Sequence, residues 1–411
     1  MTEPQTARQP AAPSRAAFAF IFVTLLLDML SLGMIMPVLP KLVESFLGGD
    51  TARAAEIFGV FGTVFALMQF FFSPVLGSLS DRFGRRPVVL ISNFGLGLDY
   101  ILMALAPNLW WLFAGRVISG VSAATIATGY AYVADVTPPE KRAASFGMLG
   151  AAFGLGFILG PALGGILGAI DPRMPFWIAA GLSLLNALYG LFVLPESLPP
   201  ERRMGFSWVR ANPLGSLKLL RSHPELSGLA TANFLGNLAH VVLPSVFVLY
   251  AGFRYGWDER VIGLTLAVVG VCAVIVQAGL IGPVVRRLGE RRAMLLGLAG
   301  GIAGFAIFGL APTGALFWTG IPVLALWGIT GAATSGLMTR RVGESEQGQL
   351  QGAIASIQGI ASLVGPFLFT LTFAHFIAAG KAAPWPGAPF LLAALLLLVS
   401  ALLAWRATRE R

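Results

Sequence analysis

Twelve apolar runs, each long enough to cross a bilayer, constrain this chain more than any other feature. They cover residues 16–39, 56–78, 88–106, 110–135, 143–168, 175–195, 224–250, 259–282, 293–311, 316–338, 350–378 and 386–405. A helix needs about 20 apolar residues to span the hydrocarbon core. Backbone polar groups cannot stay unpaired in lipid, so each run is a helix or part of a closed barrel. The runs are continuous rather than alternating, which selects helices. Charge is scarce to match: 11% of the 411 residues are charged, against roughly 25% in a soluble domain. Too few polar residues remain to cover a water-facing surface, so lipid covers the outside. The net charge of +9 does not point to nucleic acid, because the basic residues sit at the ends of apolar runs. The single Cys272 makes neither an intramolecular disulfide nor a cysteine metal site.

Basic residues set the expected topology. With both termini in the cytoplasm, 21 of the 28 Lys and Arg fall on the tails or on loops after even-numbered helices. Six fall on the opposite side, and Arg116 lies within a helix. The positive side faces in. The chain then divides into a disordered cytoplasmic tail (1–15), a six-helix bundle (16–195), a basic cytoplasmic linker (196–223), a second six-helix bundle (224–405) and a short tail (406–411).

The two bundles are related in sequence. GSLSDRFGRR begins at Gly77 and GPVVRRLGERR at Gly282, 205 residues later. Gly160-Pro161 and Gly365-Pro366 keep that offset, as do Gly147 and Gly352. Parallel repeats of this kind are typical of secondary transporters, with the cargo site near the midplane where the halves meet.

The stretch GSLSDRFGRRP (77–87) is the turn between the second and third helices. Gly77 lets the helix end approach a neighbour, Gly84 permits the reversal, and Arg85 and Arg86 face headgroups or acidic partners. A bare topology anchor would explain the arginines, but not an acid and two glycines at fixed spacing. Gly77, Leu79, Asp81, Arg82, Gly84, Arg85 and Arg86 resemble the major facilitator superfamily loop G-x-L-x-D-R-x-G-R-R. That resemblance implies an all-α membrane fold, two pseudo-symmetric six-helix bundles and a monomer. It also implies a cytoplasmic latch in which Asp81 faces the start of the eleventh helix and Arg85 pairs with Asp135. An acid at a helix N-terminus gains about 0.3–1 kcal/mol from the dipole, little enough to break in every cycle. Arg286 stands at the Asp81 position of the second copy, so the latch is asymmetric.

Gly156, Gly160, Pro161, Gly164 and Gly165 form G-x-x-x-G-P-x-x-G-G, similar to the superfamily's antiporter motif. Small residues four apart let helices pack backbone to backbone, and plain helix packing is the simpler explanation. LDMLSLGMIMPVLP around Asp28, ALMQFFFSPVLGSLSDRFGRRPV and GRVISG resemble the tetracycline/proton antiporters, most densely from residue 28 to about 168.

Among acids and Lys or Arg, only Asp28, Asp99 and Arg116 lie well inside the membrane. Each costs about 2.5–3.5 kcal/mol on insertion scales, which calls for a partner or a task. Counted from the outer helix ends, Asp99 and Arg116 sit at similar depth and are expected to pair. Asp28 is nearer the middle, and Gln69 in the second helix can add a hydrogen bond. Desolvation disfavours a charged carboxyl and an approaching arginine favours it. Asp28 or Asp99 is therefore the candidate proton carrier and Arg116 its tuner; the alternative is a permanent Asp99–Arg116 pair that only holds helices together. In the second half, Asn233, Asn237 and His240 lie mid-membrane. His240 either titrates near neutral pH or bonds a neighbouring helix.

One departure bears on cargo. Tetracycline pumps, as aligned, carry a His in the eighth helix and an Asp in the ninth; here those positions are Ala273 and Gly301. Coupling through that pair is excluded and tetracycline itself is in doubt. The sequence carries no nucleotide loop, no metal spacing and nothing that points to an enzyme. The expected function is proton-coupled export of an amphipathic drug-like compound across a bacterial-type inner membrane, with the proton as coupling ion and no cofactor. The alternatives are a metabolite importer or facilitator on the same scaffold, and a non-transporting sensor or scaffold.

Overall fold

Residues 15–123, 125–208, 212–222, 226–343, 346–378 and 384–409 are described by a computed structural model; residues 1–14 of the expected N-terminal tail lie outside them, and Arg15 already belongs to the first helix. Among the described residues helix accounts for every regular element. Eleven helical stretches are long and apolar enough to cross a membrane. One of them, Glu259–Leu310, has 52 residues. At 1.5 Å per residue it would reach ~78 Å, more than twice a bilayer core. It is broken at Gly289, whose φ of 75° and ψ of 162° are not helical. It therefore makes two passes, and the described residues make twelve crossings.

We number the passes α1 (Phe18–Phe46), α2 (Thr51–Phe83), α3 (Arg85–Ala104), α4 (Leu109–Val136), α5 (Pro139–Gly168) and α6 (Met174–Val193). In the second half they are α7 (Ser227–Tyr255), α8 (259–288), α9 (290–310), α10 (Gly314–Thr339), α11 (Gln347–Ile377) and α12 (Ala388–Ala407). Several run past their apolar cores. α2 covers 51–83 rather than 56–78, because Asp50 caps it by accepting from the Arg53 N–H at 3.0 Å. Asn108, Asp258 and Thr313 cap α4, α8 and α10 in the same way. Such caps satisfy the orphan N–H groups of a first turn, which lets the helix continue beyond the hydrocarbon.

Gly84, at φ 106° and ψ 158°, separates α2 from α3. It stands 205 residues before Gly289, so both copies of the turn use the same left-handed glycine. A side chain would be strained at either position.

α1 packs on α5 and α6, α3 on α4 and α6, and α2 on α4; in the second half α12 packs on α7 and α9, α10 on α9, and α11 on α7. Two seams join the sets, α2 with α11 and α5 with α8. In the first, a Cβ on Gly62 would lie 2.9 Å from the Pro366 ring, and Thr63 Oγ1 donates to the Leu363 carbonyl at 3.3 Å. In the second, Gly165 and Gly263 face each other backbone to backbone.

These contacts lie toward the face opposite the linker. Toward the linker face, a cleft opens between α2 and α11, walled by Gln69, Ser73, Pro74, Gln358 and the linker's Asn212 and Pro213. The linker crosses it. Met204 N–H donates to the Asp81 carbonyl (3.0 Å) and Ser207 N–H to Ser78 Oγ (3.4 Å). On the far side Ser356 Oγ of α11 donates to the Pro213 carbonyl.

Candidate transport site

The expected charged residues converge in the first bundle. Asp28 on α1, Gln69 on α2 and Arg116 on α4 line one small cavity with Tyr100, Ser119 and Phe65. Asp28 is 6% exposed and Asp99 1%. Asp99 accepts from the Ser119 hydroxyl, and Gly115 keeps open the space beside its Oδ1, where a Cβ would come within 2.9 Å. Neither oxygen of Asp28 has a hydrogen-bond partner among the described residues, and Asp99 Oδ1 has none.

The expected Asp99–Arg116 ion pair is not formed: no such contact within 4 Å occurs among the described residues. Arg116 instead places its guanidinium 4.6 Å from the centre of the Phe65 ring. The ring face attracts the cation and holds it without an ion pair to either carboxyl. Sequence reasoning missed Ser119 and Phe65, which are unremarkable types in apolar helices.

In the second bundle Asn233, Asn237 and His240 lie along α7 and line a separate cavity of about 290 Å³. Asn237 Nδ2 donates to the Asn233 carbonyl (2.8 Å) and side-chain oxygen (3.2 Å). The His240 and Trp327 rings are 5.5 Å apart. Gln277 reaches the same cavity from a π-helical turn, Val276–Leu280, within α8. Such turns often mark functional sites, and nothing in the apolar pattern of α8 announced this one.

The loop motif forms a network around Arg85. Its guanidinium lies 2.6 Å from Asp81 and 3.1 Å from Asp135, so the Arg85–Asp135 pair is present. The carboxylate of Glu196, just past α6, accepts from the Arg85 N–H at 2.8 Å and from Leu198 N–H at 3.0 Å. It thereby covers the N-terminus of α3, where the helix dipole favours an anion. Arg86 donates to the Leu191 carbonyl of α6, and Arg82 lies over Phe83.

Two expectations fail on this face. Among the described residues Asp81 bonds Arg85 and not the start of α11, because the bundles are apart here and the linker takes the Asp81 backbone. Gly77 makes no close approach either: a Cβ there would meet nothing within 4 Å.

The second bundle repeats the pair with its charges exchanged. Glu290 and Arg340 stand 205 residues after Arg85 and Asp135, and Arg340 lies 3.0 Å from Glu290. The 205-residue offset carries this signal, because it aligns Arg85 with Glu290 and Asp135 with Arg340. Arg340 is 75% exposed, whereas Arg85 is 12% exposed. Exposed pairs contribute about 0.2–1 kcal/mol. A double-mutant cycle with alanine at Arg85 and Asp135 should therefore give a larger coupling in thermal unfolding than one at Glu290 and Arg340. Equal couplings would show that exposure does not set their weight.

The antiporter motif packs α5 on both sides. Gly156, Gly160 and Gly164 face the backbone of α1, where a Cβ on Gly160 would come within 2.8 Å of Gly33 Cα. Pro161 and Gly165 face Gly263 of α8. The motif thus joins the wall bearing Asp28 to the seam between bundles, beyond plain packing within one half.

Comparison with known proteins agrees with this architecture. The chain is 39% identical to the tetracycline resistance protein, class C, of Escherichia coli, over 94% of this chain and 96% of that one. It is 37% identical to the class G protein of Vibrio anguillarum, over 94% and 96%. The crystal structure of the nucleoside transporter NupG aligns with a TM-score of 0.78 over 96% of this chain and 100% of that one. At 15% identity this likeness concerns the fold alone. The sequence profile of the Major Facilitator Superfamily matches residues 21–366. With twelve crossings among the described residues, a duplicated glycine turn and two seams between its halves, the chain is an integral membrane transporter of the Major Facilitator Superfamily.

Proposed function

We propose that this protein is a proton-coupled antiporter that exports amphipathic drug-like compounds by alternating access, with the linker face and both termini in the cytoplasm of a bacterial-type inner membrane. The observation that carries the reading is the pair of buried carboxyls, Asp28 and Asp99, in a wall that α5 connects to the opposite bundle. A buried carboxyl without a committed partner is costly in lipid, and the cost is relieved when it binds a proton. Arg116 is near enough to influence Asp99 through its charge and is held by an aromatic face rather than by either acid. Rocking of the bundles changes which face can reach the carboxyls, so proton and cargo can be exchanged in turn. No cofactor enters the cycle.

The likeness to tetracycline resistance proteins supports drug export over metabolite import. Tetracycline belongs in the test panel rather than in the conclusion, since Ala273 and Gly301 leave the second bundle without the polar pair of the aligned pumps. A scaffold or sensor would have no use for two buried acids. The reading is tested in proteoliposomes under an imposed pH gradient, with a panel of dyes and drugs that includes tetracycline. Cargo should move against proton flow and stop when the gradient is collapsed. Movement indifferent to the gradient, or no movement for any member of the panel, would refute it.

A further inference from the structure

The two cavities are copies of one pocket. Asp28, Leu32 and Arg116 line the first, and the residues 205 positions later, Asn233, Asn237 and Ile321, line the second. The copies differ in charge. A carboxyl in the first is a carboxamide in the second, an arginine is an isoleucine, and a leucine is a second asparagine. Among the described residues, the second cavity has no Asp, Glu, Lys or Arg on its wall. It is also the larger, about 290 Å³ against about 40 Å³.

We infer that duplication divided the work: the first pocket handles the proton, and the second recognises cargo as an uncharged, planar aromatic group with hydrogen-bonding atoms along one edge. This deepens the export reading and rests on it. A full charge buried against such a wall would have no partner and would cost several kcal/mol, so the recognised part of the cargo is neutral. A cavity of this size takes a fused-ring group. The Trp327 indole and the His240 ring offer flat surfaces to stack on. Asn233 and Asn237 sit one turn apart on the same helix face. Asn237 Nδ2 is used inside the helix, which leaves its carbonyl oxygen to accept and the Asn233 amide to donate. Gln277, on its π-helical turn, adds both functions from the facing helix.

The test is equilibrium binding to the purified full chain in lipid nanodiscs. Three planar probes are compared: umbelliferone in its uncharged form, ethidium as a cation and anilinonaphthalene sulfonate as an anion. Umbelliferone should bind best. Asn233→Leu and Asn237→Leu should each weaken it about tenfold, equivalent to about 1.4 kcal/mol, while Asn237→Gln keeps most of the affinity and reports that the fold is intact. Asn233→Asp, which restores the charge of the first pocket, should move the preference toward ethidium.

Preference of the parent chain for either charged probe overturns the inference, and so does failure to bind umbelliferone at all. Loss of umbelliferone binding in Asp28→Asn with retention in Asn237→Leu overturns it too, by placing cargo in the first pocket. The export reading fails separately: a chain that binds umbelliferone here but moves no cargo under a pH gradient keeps the pocket and loses the antiporter.

Discussion

Asp28→Asn abolishes proton-coupled transport and leaves the protein at least as resistant to heat as its parent. Both halves of that result follow from the surroundings of Asp28. The carboxyl is buried on α1, and among the described residues neither oxygen has a hydrogen-bond partner. An acid kept for structure is paired, and removing it leaves its partner exposed to the full penalty of an unmet bond. Asp28 has no such partner to strand. The amide keeps the shape and never ionises, so the cost of a charge in the membrane, about 2.5–3.5 kcal/mol, disappears. Stability that rises as function falls is the mark of a site retained for its activity. Asp99→Asn should differ, because Asp99 accepts from Ser119 and is part of the α3–α4 contact. Its loss of coupling should come with a measurable loss of stability. Proton flux in proteoliposomes and thermal unfolding in nanodiscs read the two effects. Normal coupling in Asp28→Asn would remove Asp28 from the mechanism; lost coupling together with early unfolding would make it a structural residue.

The twelve crossings were legible because each rests on a single quantity, the length of an uncharged apolar run. The loop motif was legible because its turn needs a glycine with positive φ, and Gly84 and Gly289 both supply one. The Arg85–Asp135 pair followed from the resemblance alone. What escaped were contacts whose partners are common residue types brought together from distant helices: Ser119 with Asp99, Phe65 under Arg116, Glu196 on the N-terminus of α3. Composition gives no hint of them, since serine and phenylalanine in a membrane helix are usually packing. The Asp99–Arg116 pair was misjudged for a related reason. Equal depth from the helix ends fixes height in the bilayer but not rotation about each helix axis. The charge exchange between Arg85–Asp135 and Glu290–Arg340 was present in the sequence all along. It is invisible to a search for identical residues, because the physical quantity conserved between the copies is the attraction and not its sign.

The same backbone contacts that reveal the antiporter motif's role predict a second large effect. Gly165→Leu should push the protein away from the conformation seen here. In that conformation α5 and α8 meet backbone to backbone at Gly165 and Gly263. A Cβ on Gly165 would come within 2.9 Å of Gly263 Cα, and one on Gly263 would meet Gly165 Cα at the same distance. The obstructing atoms are backbone, which cannot rotate aside, so the helices must part. Parting them opens the face opposite the linker and leaves the other conformation as the one without a clash. The shift can be read at Thr370, which is buried in the α2–α11 seam. In a Cys272→Ser background, Thr370→Cys should be protected from a membrane-impermeant maleimide. Adding Gly165→Leu should raise its labelling rate about tenfold or more, equivalent to a population shift of about 1.4 kcal/mol, and transport should fall in parallel. Gly181→Leu is the control, because a Cβ at Gly181 meets no atom within 4 Å. A bulky residue at position 165 that leaves labelling unchanged would mean the two helices do not form the hinge face of the cycle. The role of the glycines would then end at packing within the first bundle.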